Sequence, residues 1–210
     1  MKIDLYTQTG EKKGDLEVSD KMFNVAVNAE VVRLAVLLQQ ANERQAIAHV
    51  KNRGEINRST RKLYRQKGTG RARMGGAGNP IRRGGGAVFG PRNVRNFTKR
   101  MPKRERRLAL FSILTQKAAD HSLFALEQYD VKAPKTKELH TLLQKLPVGK
   151  SVLLVLDKKH PTIEKSAANL PYVKTILVTT LNSVDLLKYE KTLFMQEALK
   201  KAEEIFLTSN

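Results

Sequence analysis

Lys67-Gly68-Thr69-Gly70-Arg71-Ala72-Arg73 and Arg82-Arg83-Gly84-Gly85-Gly86 set cationic side chains directly beside glycines. Those residue types suit the binding of phosphate. A guanidinium grips a phosphate through two parallel N–H bonds, stacks on bases and cannot be neutralised. An adjacent glycine lets backbone N–H groups approach the anion without a Cβ clash. Tyr64, Phe89 and Phe97 are interspersed with these runs and could stack on unpaired bases. For Phe97, packing against a core is an equal alternative.

The two runs belong to a longer basic stretch. Lys51 to Arg107 holds 19 Lys and Arg against two acids, Glu55 and Glu105, and 10 of the chain's 13 glycines. Of the formal net charge of +19, this stretch supplies +17. Its longest apolar run is three residues, too little burial to offset the entropy of ordering the segment. Its order must come from a polyanion, and a sequence pI near 10.2 points to nucleic acid. The residues expected to meet it begin with Lys51, Arg53, Arg58, Arg61, Lys62 and Arg65. They continue through Lys67, Gly68, Gly70, Arg71 and Arg73 to Arg82, Arg83, Gly84, Gly85, Gly86 and Phe89. On the return they are Arg92, Arg95, Lys99 and Arg100, then Lys103, Arg104 and Arg107. Arginine-rich segments that order on binding suit the irregular crevices of RNA. Readers of DNA usually present a helix to the major groove, and none is legible here.

Catalytic chemistry has little footing. His49, His121, His140 and His160 are scattered without metal-ligand spacing. There is no Gly-x-Ser-x-Gly elbow and no Gly-Lys-Ser/Thr phosphate loop. Gly68-Thr69-Gly70-Arg71-Ala72-Arg73 starts like a dinucleotide fingerprint but ends in arginine, follows no strand and opens no helix. Asp157 and Asp185 fall at element ends, where acids often cap turns. With no cysteine, disulfides and thiolate sites are excluded. No catalytic residue, metal site, cofactor or small-molecule substrate is therefore expected. Met1 to Leu5 has no hydrophobic signal region, and no apolar run approaches the ~20 residues of a membrane span. A cytoplasmic protein without a membrane partner is expected.

The flanks must position the basic stretch. Ile3 to Tyr6 and Asp15 to Val18 read as strands, and Lys21 to about Asn42 as one helix facing the core through Phe23, Val27, Val31, Leu34, Ala35 and Leu38. From Glu43 to Arg100 no period of 2 or 3.6 persists. A loop this long is functional or disordered; as a hairpin, each arm of about 28 residues reaches at most ~90 Å. Pro102 opens a helix whose Leu110, Ile113, Leu114 and Ala118 share a face. Strands at Leu123–Leu126, Val152–Leu156, Val173–Val178 and Thr192–Met195 then alternate with helices at Lys135–Leu146, Pro161–Leu170, Ser183–Leu187 and Gln196–Leu207. That alternation predicts an α/β fold with a mostly parallel sheet flanked by helices. Residues 1–50 and 101–210 are expected to build one α/β domain, interrupted by one long basic extended loop at 51–100.

Several runs also resemble a known family. They are Tyr64-Arg65-Gln66-Lys67-Gly68-Thr69-Gly70-Arg71-Ala72-Arg73, Gly84-Gly85-Gly86-Ala87-Val88-Phe89-Gly90-Pro91 and Arg106-Arg107-Leu108-Ala109-Leu110. Ala133-Pro134-Lys135-Thr136-Lys137 and Ala167-Ala168-Asn169-Leu170-Pro171 continue the likeness. In this order they resemble the bacterial family of ribosomal protein four of the large subunit, over essentially the whole chain. The chain departs from it at Tyr64, where Trp is frequent, at Asn93-Val94, where Lys-Pro is common, and at Gln196, where Ser, Thr or Asp often caps the last helix. The resemblance implies a structural constituent of the large subunit that binds its ribosomal RNA, aids early assembly and in some members represses its own messenger. It implies that Tyr64, Arg65, Gln66, Lys67, Gly68, Thr69, Gly70 and Arg71 form a loop tip lining the nascent-peptide exit tunnel. The implied partners are large-subunit ribosomal RNA, neighbouring proteins including ribosomal protein twenty-two, and the passing nascent peptide. Two other classes stay open on the residues alone: an architectural nucleic-acid protein outside the ribosome, and a nucleotide-dependent enzyme with an RNA-docking arm.

Overall fold

The computed structural model describes residues 1–129, 133–149 and 151–208. Two strands open the chain, β1 (Lys2–Tyr6) and β2 (Lys12–Glu17), followed by helices α1 (Asp20–Phe23) and α2 (Ala29–Glu43). After a long irregular stretch come α3 (Lys103–Ala119), β3 (Leu123–Leu126), α4 (Thr136–Lys145), β4 (Val152–Leu156) and α5 (Pro161–Ala167). β5 (Val173–Leu177), α6 (Ser183–Lys188), β6 (Lys191–Met195) and α7 (Gln196–Thr208) complete the chain.

The strands form a single six-stranded sheet in the order β2-β1-β3-β6-β4-β5. Only β1 and β2 pair antiparallel; β1–β3, β3–β6, β6–β4 and β4–β5 are all parallel. The fold is α/β with a mostly parallel sheet flanked by helices. β4 is Val-Leu-Leu-Val-Leu and buried at all five positions, as a strand covered on both faces must be. The edge strand β2 is guarded by charge: Lys12 Nζ reaches Asp4 at 2.6 Å and Asp15 at 3.0 Å, which discourages pairing with another chain. α4 buries Leu139, Leu142 and Leu143 at helical spacing, and Leu146 follows them into the core. α7 does the same with Ala198, Leu199 and Ala202, and Phe206 meets Phe111 of α3 edge-on.

The helix expected over residues 21–42 is two helices. The break has a physical cause, since α3 captures the backbone donors between them. Val25 N–H donates to Thr115 Oγ1 at 3.1 Å, and Asn28 N–H to Ser112 Oγ at 3.3 Å. Asn28 Oδ1 then accepts from Val31 N–H at 3.2 Å, capping the start of α2. Phe23 and Ala35 are buried as expected, but Val27 and Leu34 are exposed. α6 is capped by the side chain of Asn182, whose Oδ1 accepts from Asp185 N–H at 2.8 Å.

The chain forms two compact units, Met1–Gln39 with Arg100–Asn210, and Gln40–Lys99. Every buried apolar side chain among the described residues belongs to the first; none lies between Ala35 and Ala109.

Within the α/β unit one cation is deeply placed. Lys117 of α3 is 8% exposed, and its ammonium donates to Tyr189 O at 2.7 Å and Glu190 O at 2.8 Å, just past α6. Burial, helped by nearby Lys191, lowers its pKa to about 8. Between about pH 8 and the ordinary lysine value the unfolded chain binds the proton that the folded chain has released. Stability from this site therefore rises with pH across that window. Denaturation from pH 7.5 to 10 should show the unaltered chain gaining on Lys117→Met as pH increases. Parallel curves would contradict the assignment.

Candidate nucleic-acid interface

From Arg44 to Pro102 there is no helix and no strand. The unit Gln40–Lys99 carries fifteen Lys and Arg against Glu43 and Glu55. Its path is set by sparse backbone bonds. Val50 N–H donates to Pro91 O at 3.1 Å and Ala87 N–H to Lys51 O at 3.0 Å, so the outgoing and returning arms lie side by side. Leu63 N–H donates to Gly75 O at 3.3 Å and closes a terminal loop of residues 64–74.

Inside that loop Tyr64 OH donates to Ala72 O, Arg65 Nη2 to Gly68 O at 2.9 Å, and Lys62 Nζ to Gln66 Oε1 at 2.8 Å and Met74 O at 3.1 Å. Gly68 and Gly70 have φ of 74° and 64°, a left-handed backbone that glycine adopts at little cost. Lys67, Arg71 and Arg73 are exposed, and among the described residues their side chains meet no partner. Thr69 is half-buried between the two glycines.

The glycines at 84–86 serve a different purpose from the one read in the sequence. A Cβ on Gly85 would strike the Asn79 carbonyl, and one on Gly86 the backbone of Arg53. Their N–H groups donate inward, Gly85 to Arg82 O at 2.9 Å and Gly86 to Gly78 O at 3.1 Å. These glycines let the chain pack on itself, and the cations beside them face outward. Arg53, Arg61 and Arg83 are exposed, Arg82 is half-exposed, and Arg58 donates to Arg83 O at 3.3 Å. Phe89 is fully exposed with a φ of 52°, a left-handed conformation that costs a non-glycine residue about 1–2 kcal/mol. Local structure thus holds an aromatic ring out in water.

One acid organises the arms. Arg92 Nη1 and Nη2 each meet a Glu55 carboxylate oxygen at 2.6 Å, and Nη1 also reaches Val50 O at 3.0 Å. Asn52 N–H adds a 2.9 Å bond to Glu55. The Arg92 guanidinium, seconded by the Asn52 bond, lowers the Glu55 pKa to about 2. Arg92 is thereby committed to closing the loop, unlike Lys51, which is exposed with no side-chain partner. The sequence reading also passed over Asn42 and Arg44, which lie before the dense charge. Asn42 Oδ1 accepts from Lys99 N–H at 2.8 Å. Arg44 and Arg95 both sit on the ring of Phe97, at 4.3 and 4.9 Å from its centroid. Phe97 thus packs against neither core nor solvent alone. A lone acid in a long basic run is a signal for internal pairing; nothing in the sequence marks Arg44. Lys99, Arg100, Lys103 and Arg104 are exposed, while Arg107 is half-buried.

The α/β unit offers a contrast. A crevice of about 340 Å³ lies at the carboxyl ends of β3, β4 and β6, lined among others by Tyr129, Asp157, His160 and Lys200. Such crevices hold ligands in many α/β proteins. Here the turn after β4 is Asp157-Lys158-Lys159-His160, with no glycine, and His160 Nε2 lies 2.9 Å from Asp157 Oδ1. Asp185 is held by Lys174 and Asn182. His140 pairs with the Tyr172 hydroxyl, and His49 Nδ1 accepts from Asn93 N–H at 3.5 Å. Among the described residues no cluster of His, Cys, Asp or Glu could hold a metal ion, and no helix is long and apolar enough to cross a membrane.

These features define an α/β protein that carries, as an insertion in its sequence, a polycationic unit without a core. The chain belongs to the ribosomal protein L4/L1 family, whose sequence model matches residues 16–205. It is 43% identical over 204 residues to the large ribosomal subunit protein uL4 of Oceanobacillus iheyensis, covering 97% of this chain and 98% of that one. The uL4 of Lactobacillus johnsonii is 41% identical over 203 residues, with 97% and 98% covered. That of Halothermothrix orenii is 43% identical over 201 residues, with 95% and 96% covered. The family is one of structural ribosomal proteins and not of enzymes, which removes the nucleotide-dependent enzyme from consideration.

Two measurements test the Glu55–Arg92 closure. An NMR titration of the Glu55 carboxyl carbon should give a midpoint near 2, returning toward the ordinary carboxylate range in Arg92→Gln. The pairing is present above the ordinary range and lost as pH falls through the folded value. In Glu55→Gln, trypsin should cut after Arg53 and Arg58 several-fold faster while the urea midpoint of the α/β unit stays put. Equal cleavage rates would remove Glu55 from this role.

Proposed function

We propose that this chain is a structural component of the large ribosomal subunit whose unit Gln40–Lys99 is its ribosomal-RNA-binding element. The observation that carries the reading is a run of sixty residues with fifteen cations and no buried apolar side chain. Repulsion among these cations opposes compaction, and closely spaced phosphates cancel it. Lys51, Arg53, Arg61, Arg82 and Arg83 neutralise backbone phosphates along the arms, and Phe89 stacks on an unpaired base. The α/β unit lies on the outside of the large subunit.

The terminal loop 64–74 lines the nascent-peptide exit tunnel, with Lys67 and Arg71 facing it, next to ribosomal protein twenty-two. Binding occurs early in subunit assembly, because an unfilled cationic hairpin is best threaded before RNA closes around it. The same surface lets a free copy bind and repress its own messenger.

Binding to large-subunit ribosomal RNA, measured from about 50 to 300 mM salt, should weaken with a log–log slope on the order of −7 to −9 for ~10 neutralised phosphates. A flat response would defeat the reading. Lys67→Glu should alter the macrolide response of ribosomes that contain it, while leaving the thermal midpoint of the free protein unchanged. Loss of folding in that variant would contradict the placement of Lys67 in the tip.

A further inference from the structure

The cluster of Arg44, Arg95 and Phe97 is built differently from the other cations. Arg58 and Arg65 each donate to a backbone carbonyl, whereas here one ring carries two guanidinium groups. Their carbons lie 4.3 and 4.9 Å from the Phe97 centroid. Arg92 of the same unit is instead bridged to Glu55. The ring face attracts each cation but does nothing for their mutual repulsion.

The backbone around the cluster is fixed from both ends of the unit. Asn42 Oδ1 holds Lys99 N–H at 2.8 Å, and Asn96 Oδ1 holds Thr98 N–H at 2.8 Å. Arg95 N–H donates to Arg92 O at 3.3 Å, and Arg92 is itself locked on Glu55 and Val50. Arg44 follows directly on the last residue of α2. The two side chains thus lie together on one aromatic ring. A stacked guanidinium keeps its in-plane N–H edge available, the edge that matches two oxygens of one phosphate.

We propose that Arg44 and Arg95, mounted on Phe97, form a phosphate fork for one backbone phosphate of the bound RNA. The inference rests on the RNA-binding reading and deepens it. It separates this cluster, which acts through geometry, from cations such as Lys51 that act through charge alone. The bound phosphate cancels the repulsion that the ring leaves standing. Arg92 lies nearby in sequence yet takes no part, because Glu55 occupies it.

The experiment uses the full chain and transcribed large-subunit ribosomal RNA, with binding measured across a salt series. Arg44→Gln with Arg95→Gln should make the log–log salt slope shallower by about 1, the contribution of one phosphate. Arg44→Lys with Arg95→Lys keeps the charge and so should keep the slope, yet lose affinity about tenfold through the missing fork. Phe97→Leu, which removes the ring but no charge, should follow the lysine pair. A thermal midpoint within a degree or two of the unaltered chain shows that the α/β unit is intact in all three. If the unaltered chain binds while the glutamine pair matches it in slope and affinity, the fork is wrong and the RNA reading stands. If the lysine pair binds as tightly as the unaltered chain, charge alone is at work and the fork is equally wrong. If the unaltered chain shows no salt-dependent binding, the RNA reading fails and takes the fork with it.

Discussion

Like charges held close without a core set the terms for this molecule. The sixty residues from Gln40 to Lys99 bring fifteen cations together and bury no apolar side chain. In water two unit charges about 7 Å apart repel by roughly 0.6 kcal/mol at low salt, and a hairpin of this composition contains many such pairs. Against them stand sparse backbone and side-chain hydrogen bonds, tight turns at glycine and the ion pair of Glu55 with Arg92. This bidentate contact is solvent-accessible on both sides and supplies closure more than stability. On the proposed reading, a polyanion supplies the counter-charge that this unit lacks.

The α/β unit solves the opposite problem. Its parallel strands are apolar and pair through a sheet whose central members β4 and β6 are almost wholly buried. Cations are admitted where they have work to do. Lys117 closes the carbonyls after α6, and Lys12 guards the edge of the sheet. Lys103, Arg104, Arg106 and Arg107 crowd the first turns of α3, where the helix dipole disfavours positive charge. Glu105 is the acid within that turn, and an external phosphate would relieve it further. An apolar core and a cationic surface are thereby divided between two parts of one chain.

Most of the α/β unit was legible because its signals are periodic. Val152–Leu156 reads as a doubly covered strand and is one, and the leucines of α4 fall where their spacing puts them. The break between α1 and α2 was hidden because it depends on Ser112 and Thr115, hydroxyls some ninety positions away that take the backbone donors of Val25 and Asn28. The apolar spacing runs on across Asn24 and Asn28, so periodicity does not mark the break. The candidate site was legible as composition and not as geometry. Charge density marks Lys51 to Arg107, but it cannot tell Arg92, locked on Glu55, from Arg71, which meets no partner. Nor can it find Arg44, which becomes part of the site only through Phe97, fifty-three positions later.

Amide hydrogen exchange on the purified chain, with and without large-subunit ribosomal RNA, tests the central claim most directly. Free of RNA, amides of residues 44–99 should exchange orders of magnitude faster than those of β4 and β6, which are protected to the level of global unfolding. On adding RNA, protection should rise along both arms and the terminal loop and change little in the sheet. Protection of residues 44–99 equal to that of β4 in the absence of RNA would contradict the account.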